Sequence, residues 1–278
     1  MKKILQKFAY RDEAKVLKKM EKIAKEGERN LHFLLDFDRT LTPSDIRSGQ
    51  DATTWGILES HLSEETAAEI RKLYEKYRPL ELQNKMTPDL AVEWWEGSLD
   101  VHKKNGTKWS DITKDIEEKM AIRPYAKEFF RTCEEKKIPA VIISAGIRDI
   151  IELWFQKFDI RPAALLSTNL FFDENGRMSG WEKDSLVHTL NKSEVAHKEL
   201  GAIMGSRPNI ILVGDSLDDA SMAEGDENVL RIMIDDPRKD DKRDELFYAA
   251  AFQKFDLAVK GESLEPLMGI FELFRERK

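Results

Sequence analysis

The chain is predicted to be an α/β protein: a Rossmann-like parallel sheet with helices on both faces, plus a helical segment inserted after the first strand. Three observations carry that expectation. Short, near-continuous apolar runs recur at residues 31–37, 139–144 and 209–214 of the 278-residue sequence, the pattern of strands buried on both faces. Amphipathic helical spacing alternates with them, as βαβ units require. Between residue 45 and about residue 120 strand-like runs vanish and helical patterns dominate.

The elements can be justified one by one. Residues 12–28 place Ala14, Val16, Leu17, Met20, Ile23 and Ala24 at helical spacing among Lys and Glu, a surface helix with one apolar stripe. The first strand follows at 31–37. The insertion carries two clear helices, at 64–77 and 87–102. The helix expected at 124–137 opens with Pro124, whose fixed φ suits a first turn. A strand at 139–144, a helix at 147–158 and a strand at 164–169 come next. Residues 171–181 form a hairpin turning on Asn175-Gly176. A helix at 191–204 and a strand at 209–214 follow, then short apolar runs at 228–234 and 256–259. The mixed-charge stretch 235–245 is expected to be a solvated loop and helix start. The resulting division is a core of residues 1–44 and 121–278 with a helical cap domain at 45–120.

Composition excludes several classes. The length allows one large core or a core with an accessory unit. Net charge is −7, from 45 Lys and Arg against 52 Asp and Glu; a long nucleic-acid surface normally needs a basic excess, so no nucleic-acid polymer is expected as partner. No apolar stretch reaches the roughly 18 residues of a membrane span, and no membrane is expected either. The N-terminus alternates Lys with apolar residues and adds Asp12, Glu13 and Glu21, unlike a targeting peptide. The single cysteine, Cys133, forms no intrachain disulfide and is read as a small buried hydrophobe. These readings predict a cytoplasmic protein, with a monomer as the default oligomeric state. The five histidines show no metal-ligand spacing and are assigned structural roles.

Chemistry concentrates where the strands end. Asp36 and Asp38 close the first apolar run within Asp36-Phe-Asp38-Arg-Thr40. Carboxylates that close repel unless a cation or proton sits among them, and the Thr-containing turn suits a phosphate with Mg²⁺. The second strand ends in Ser144-Ala145-Gly146 before a helix, whose free N–H groups favour an anion. The fourth ends in Gly214-Asp215-Ser-Leu-Asp-Asp219, and Lys192 opens a helix where it can supply a balancing cation. In a parallel sheet these ends share one edge and converge. Singly, each has an ordinary structural use as cap, tight loop or surface charge; their conjunction in this order carries the reading.

That conjunction resembles the haloacid dehalogenase (HAD) superfamily of Mg²⁺-dependent phosphohydrolases. More closely, the chain is similar to the cytosolic pyrimidine 5′-nucleotidase family. The likeness runs through Glu93-Trp94-Trp95, Ile143 to Ile147, Ser167-Thr-Asn169, Leu186 to Lys192, and Phe255-Asp-Leu-Ala-Val. It implies Asp36 as nucleophile forming an aspartyl-phosphate, and Asp38 as the acid and base that protonates the leaving oxygen and then activates water. It implies Mg²⁺ held by Asp36, the backbone carbonyl of Asp38 and Asp215, with Asp219 holding a metal water or orienting Lys192. Ser144, Ala145, Gly146 and Lys192 would bind the phosphoryl oxygens. Glu93 is the candidate for gripping a nucleobase, with Trp94 and Trp95 as stacking surfaces.

Three positions depart from the family pattern. Arg39 replaces an apolar residue, Leu99 a histidine, and Asp218 a glycine. The expected substrate is a small phosphomonoester, a nucleoside 5′-monophosphate with UMP and CMP favoured. A sugar phosphate or phosphoserine-like metabolite is the alternative. A non-catalytic binding protein has no need of the complete acid and lysine set.

Overall fold

Strand β1 (Leu31–Leu35) is buried along its whole length because its alternating side chains enter two different apolar clusters. Phe33 and Leu35 join one cluster and Leu34 the other, so the strand is covered on both faces. In this computed structural model, which describes residues 1–44, 52–83, 85–236 and 245–274, β1 lies inside a six-stranded sheet. Its partners are β2 (Ala140–Ile147), β3 (Ala164–Thr168), β6 (Asn209–Gly214), β7 (Val229–Asp235) and β8 (Leu257–Lys260), in the order β3-β2-β1-β6-β7-β8. Every pairing in it is parallel. The chain builds outward from β1 through β2 and β3, then returns to β1's other side with β6. A reversal of this kind opens a crevice at the carboxyl ends of the two central strands.

Helices cover both faces. α1 (Lys2–Leu5) and α2 (Glu13–Glu26) precede β1. α2 is capped by the Asp12 carboxylate, which accepts from the Lys15 N–H at 2.9 Å, and buries Val16, Met20 and Ile23. Helices α3 (Thr54–Glu59), α4 (Glu64–Leu82), α5 (Pro88–Asn105) and α6 (Trp109–Lys119) all lie between β1 and β2. α4 and α5 pack on each other, whereas α3 and α6 pack on α8 (Arg148–Phe158). Ile57, Leu99, Ile112 and Ile116 of this segment join the same apolar cluster as Phe33 and Val213. The rest of the helical cover is α7 (Ala126–Lys136), α9 (Lys192–Met204), α10 (Glu245–Lys254) and α11 (Glu265–Met268).

Most expected elements are present, and the differences have physical causes. β2 runs on to Ile147, past Ser144, because its pairing with β3 slips register between Ile143 and Ile147 instead of stopping. α7 starts at Ala126, since Tyr125 before it holds a left-handed backbone, φ 69°. The hairpin forms between β4 (Leu170–Phe172) and β5 (Met178–Trp181), with Gly176 at φ 70° in its turn. Helices α3 and α6 were not singled out within the helical insertion, although α6 buries Ile112 and Ile116 on one face, whereas α10 begins at Glu245, where the mixed-charge stretch was expected to start a helix. Residues 45–51 and 84 of the predicted insertion, and 237–244 of the predicted solvated loop, lie outside the described residues. The beginning of that loop corrects the expectation: Asp235 and Asp236 are buried, and Asp236 pairs with Arg123 at 2.9 Å. Cys133 is buried and its thiol is pushed far up by desolvation, an inert hydrophobe.

Trp154 of α8 is fully buried under Phe37, ring centroids 5.1 Å apart, and its indole donates to the Ala121 carbonyl at 3.0 Å. Trp154→Ala should lower unfolding free energy by about 3–5 kcal/mol, read from urea denaturation. Burial also holds His32 and His102 neutral, pushing both down to about 4. Unfolded histidine takes a proton near its ordinary value and the folded pair does not, so stability falls as pH drops below that value and levels off near 4. Acidification from pH 7 to pH 5 should therefore cost about 2 kcal/mol for each histidine. Replacing His32 with Leu should flatten that slope in denaturation series.

Candidate active site

Asp36 follows β1 directly, and its N–H donates to the Val213 carbonyl of β6 at 3.0 Å, which sets the two strand ends side by side. Its carboxylate is buried and accepts from Lys192 Nζ at 2.6 Å. The same ammonium donates to Asp219 at 2.7 Å. The second oxygen of Asp219 accepts the backbone N–H of Asp215 at 3.0 Å and of Ser216 at 2.9 Å. Lys192, first residue of α9, thus bridges the loops after β1 and β6. Gly214 permits this closure: a Cβ there would collide with the Asp219 side chain.

Burial pushes the Asp36 carboxyl well above the usual carboxylate range; Lys192 opposes that shift, and Asp219 and Asp215 add to it. Burial alone would lower the Lys192 ammonium, but Asp219 and Asp36 outweigh it and hold it raised. Ligand oxygens of Asp36, Asp215 and Asp219 lie within 4.8 Å of one another. Three buried carboxylates are hard donors of the kind Mg²⁺ takes, and one lysine leaves their summed charge negative. The donor set fits that ion.

Asp38 points elsewhere. Its carboxylate accepts from the Thr54 N–H at 2.9 Å and from the Thr54 hydroxyl at 2.7 Å, at the start of α3. Desolvation pushes it up to about 6, with the Thr54 bonds pulling the other way. Arg39 beside it adopts φ 62°, a left-handed backbone that is strained for any non-glycine residue. Two contacts hold it there. The Arg39 N–H donates to Thr42 Oγ1 at 2.8 Å, and Arg123, wholly buried, donates to the Arg39 carbonyl at 2.7 Å. Arg123 also reaches Ser44 and the Glu262 carbonyl besides Asp236.

Asp36, Asp38, Ser144, Ala145, Gly146, Lys192, Asp215 and Asp219 all line one cavity of about 680 Å³. Its upper wall comes from α3, α4 and α5, with Trp55, Tyr74, Arg78, Glu81, Trp94 and Trp95. Trp94 stacks on Tyr77 with planes 19° apart and meets Tyr74 edge-on. Glu93 is not brought there. It faces solvent, 57% exposed, and pairs with Lys76 at 2.9 Å, because it lies on the opposite side of the helix turn from Trp95. Two glutamates of the inserted helices do line the cavity, Glu59 at the end of α3 and Glu81 at the end of α4, and Glu81 is paired with Arg78 and accepts from Thr189 Oγ1 at 3.3 Å.

Glu81, Thr54, Trp55 and Arg123 escaped the sequence reading. Thr53, the N-cap of α3, was a signal for that helix start, and Arg123-Pro124 marks a buried charge only once Asp236 is seen opposite.

Fold and site together define a phosphohydrolase of the HAD type. A phosphoserine phosphatase structure, described as a phospho-aspartyl intermediate analogue, shares this fold at 17% identity with TM-score 0.56, covering 86% of this chain and 96% of that one. The profile of the pyrimidine 5′-nucleotidase (UMPH-1) family matches residues 39–266, and the chain belongs to that family. It is therefore an enzyme of the 5′-nucleotidase class. It is 28% identical over 277 residues to 7-methylguanosine phosphate-specific 5′-nucleotidase A of Xenopus laevis, covering 94% of this chain and 93% of the relative. The crystal structure of cytosolic 5′-nucleotidase IIIB (cN-IIIB) bound to cytidine superposes with TM-score 0.80 at 25% identity, covering 96% of this chain and 92% of that one.

Lys192→Met should strand two buried carboxylates. Unfolding free energy in metal-free buffer should fall by about 3–5 kcal/mol, and phosphate release should drop below detection. Unchanged stability would show that the bridge does not organise the site.

Proposed function

We propose that the chain is a Mg²⁺-dependent 5′-nucleotidase that releases phosphate from nucleoside 5′-monophosphates through an aspartyl-phosphate on Asp36. The observation that carries this reading is the position of the Asp36 carboxylate, bonded to Lys192 at 2.6 Å on the floor of a cavity whose wall is aromatic. A phosphate binds at the floor and a flat base has Trp94 and Tyr74 above it.

Asp36, the backbone carbonyl of Asp38 and Asp215 would hold the Mg²⁺, which when bound neutralises charge on the phosphate oxygens. Asp36 attacks phosphorus as the bond to the nucleoside 5′-oxygen breaks, and Lys192 with the Ser144–Gly146 amides and hydroxyl balances charge on the equatorial oxygens. Asp38, raised to about 6, carries a proton to the leaving oxygen near neutral pH. It then takes a proton from the water that opens the aspartyl-phosphate and frees inorganic phosphate. Asp219 keeps Lys192 aimed at Asp36.

Residues 45–120 act as the cap domain over a core of 1–44 and 121–278, and select the base. The motif-level expectation favours UMP and CMP. The relatives named for 7-methylguanosine phosphate, together with the Glu81 and Asp218 carboxylates in an aromatic cavity, add the cationic 7-methyl-GMP as a substrate, since a positively charged ring gains from both an aromatic face and nearby acids. The protein acts in the cytoplasm on small molecules.

A phosphomonoester panel with and without Mg²⁺ tests this. CMP, UMP and 7-methyl-GMP should be hydrolysed, phosphoserine and glucose 6-phosphate poorly, and chelation should abolish all turnover. Asp36→Asn should remain folded with turnover reduced by about 10⁴-fold or more, as loss of a nucleophile demands. Faster release from phosphoserine than from every nucleotide would defeat the nucleotide reading.

A further inference from the structure

Trp95 was expected to face a nucleobase, yet its polar end is used elsewhere. The indole N–H of Trp95, on α5, donates to the Ala145 carbonyl at 3.1 Å. The indole N–H of Trp55, on α3, donates to the same oxygen, also at 3.1 Å. The two rings stand edge to face, 89° apart, and share that one acceptor. A carbonyl has two lone pairs, and here both indoles come from the segment inserted between β1 and β2.

The acceptor is unusual in its setting. Ala145 lies where the β2–β3 register breaks, between Ile143 and Ile147, so the regular ladder does not supply its partner. A trans peptide carries its C=O and the following N–H in opposite directions. Fixing the Ala145 carbonyl therefore fixes the Gly146 N–H, which donates to Ser144 Oγ at 3.1 Å. Having accepted that bond, the buried Ser144 hydroxyl has its own proton left to donate into the cavity. Ser167 of β3 clamps the other side of the turn through the Gly146 carbonyl at 2.8 Å.

We propose that Trp55 and Trp95 are positioning residues for phosphoryl binding: their indole N–H groups jointly orient the Ala145–Gly146 peptide, and through it the Ser144 hydroxyl that meets the phosphate. This rests on the phosphohydrolase reading of the site but assigns these tryptophans to the phosphate end, not the base end. Their effect is consequently the same for every phosphomonoester.

The experiment compares the full-length protein with Trp55→Phe, Trp95→Phe, the double variant, and Trp95→3-benzothienylalanine, which keeps the bicyclic shape and removes only the N–H. The first readout is binding of inorganic phosphate by calorimetry in the presence of Mg²⁺; the second is kcat/KM for CMP and for p-nitrophenyl phosphate. Each single change leaves the carbonyl one donor and should weaken phosphate about threefold, whereas the double variant leaves it unpaired and should cost about thirtyfold or more. The benzothienylalanine protein should match Trp95→Phe, and both substrates should lose kcat/KM by one common factor. Losses confined to KM for CMP, with phosphate binding unchanged, would overturn the proposal in favour of base contact. Unchanged phosphate binding in the double variant would reduce the indoles to packing. A wild-type protein that binds phosphate but hydrolyses no nucleotide would defeat the nucleotidase reading while leaving the phosphate comparison decisive here.

Discussion

Lys192 carries a positive charge into the interior, where an ammonium without partners would cost several kcal/mol. Its environment resolves that cost with two carboxylates, Asp36 at 2.6 Å and Asp219 at 2.7 Å. Those acids leave the sheet from different strands, and α9 brings the lysine from a third place in the chain. One ammonium therefore sets the distance between the loops after β1 and β6. The remaining oxygen of Asp219 is occupied by two backbone N–H groups, so the loop carrying Asp215 follows its position. Arrangements of this kind have few intermediate states: either all partners meet or buried charges are left alone.

Close backbone approach is the second constraint. A Cβ on Gly146 would stand 3.0 Å from Asp38 Oδ2 and would run into the Thr54 hydroxyl. Only glycine leaves room for the acid, the threonine and the phosphate loop at one point. Gly214 does the same beneath Asp219. The strain at Arg39, held by Arg123 from below, belongs to the same economy of space: the turn after β1 must bend sharply enough to present Asp36 inward while Asp38 reaches α3.

Strands and acids were legible because they obey local rules. β1, β2 and β6 are apolar runs that end in Asp, Ser or Gly-Asp, and those patterns survive in one dimension. Lys192 was legible only through its order among the motifs, since a lone lysine at a helix start carries no signal of burial. Glu93 was misplaced for a related reason. Sequence places it beside Trp94 and Trp95, but a helix turns neighbours by about 100°, and the turn that sends Trp95 inward sends Glu93 to solvent. Glu81 and Thr54 lie on helices whose orientation depends on tertiary packing, which no spacing rule contains. Asp235 and Asp236 looked like solvated charge because the fold supplies their partners: the Tyr248 hydroxyl donates to Asp235 at 2.9 Å, and Arg123, which pairs with Asp236, is more than a hundred residues away.

Donors from the inserted helices reach the acid and the phosphate loop alike. Thr54 gives two hydrogen bonds to Asp38, and Trp55, next along the same helix, shares the Ala145 carbonyl with Trp95. Thr54 is itself wholly buried, so its bonds to the acid are shielded from competing water. Helix α3 thus touches the group that would move the proton and the group that would hold the phosphate, which leave the sheet at the ends of the paired strands β1 and β2. On the proposed reading, a helix seated this way would make proton transfer and phosphate binding depend on one packing surface, the contact of Ile57 and Leu58 with the core. The proposed base selection by α4 and α5 would then be mechanically continuous with chemistry at the floor, because α5 carries both the aromatic wall at Trp94 and the loop contact at Trp95.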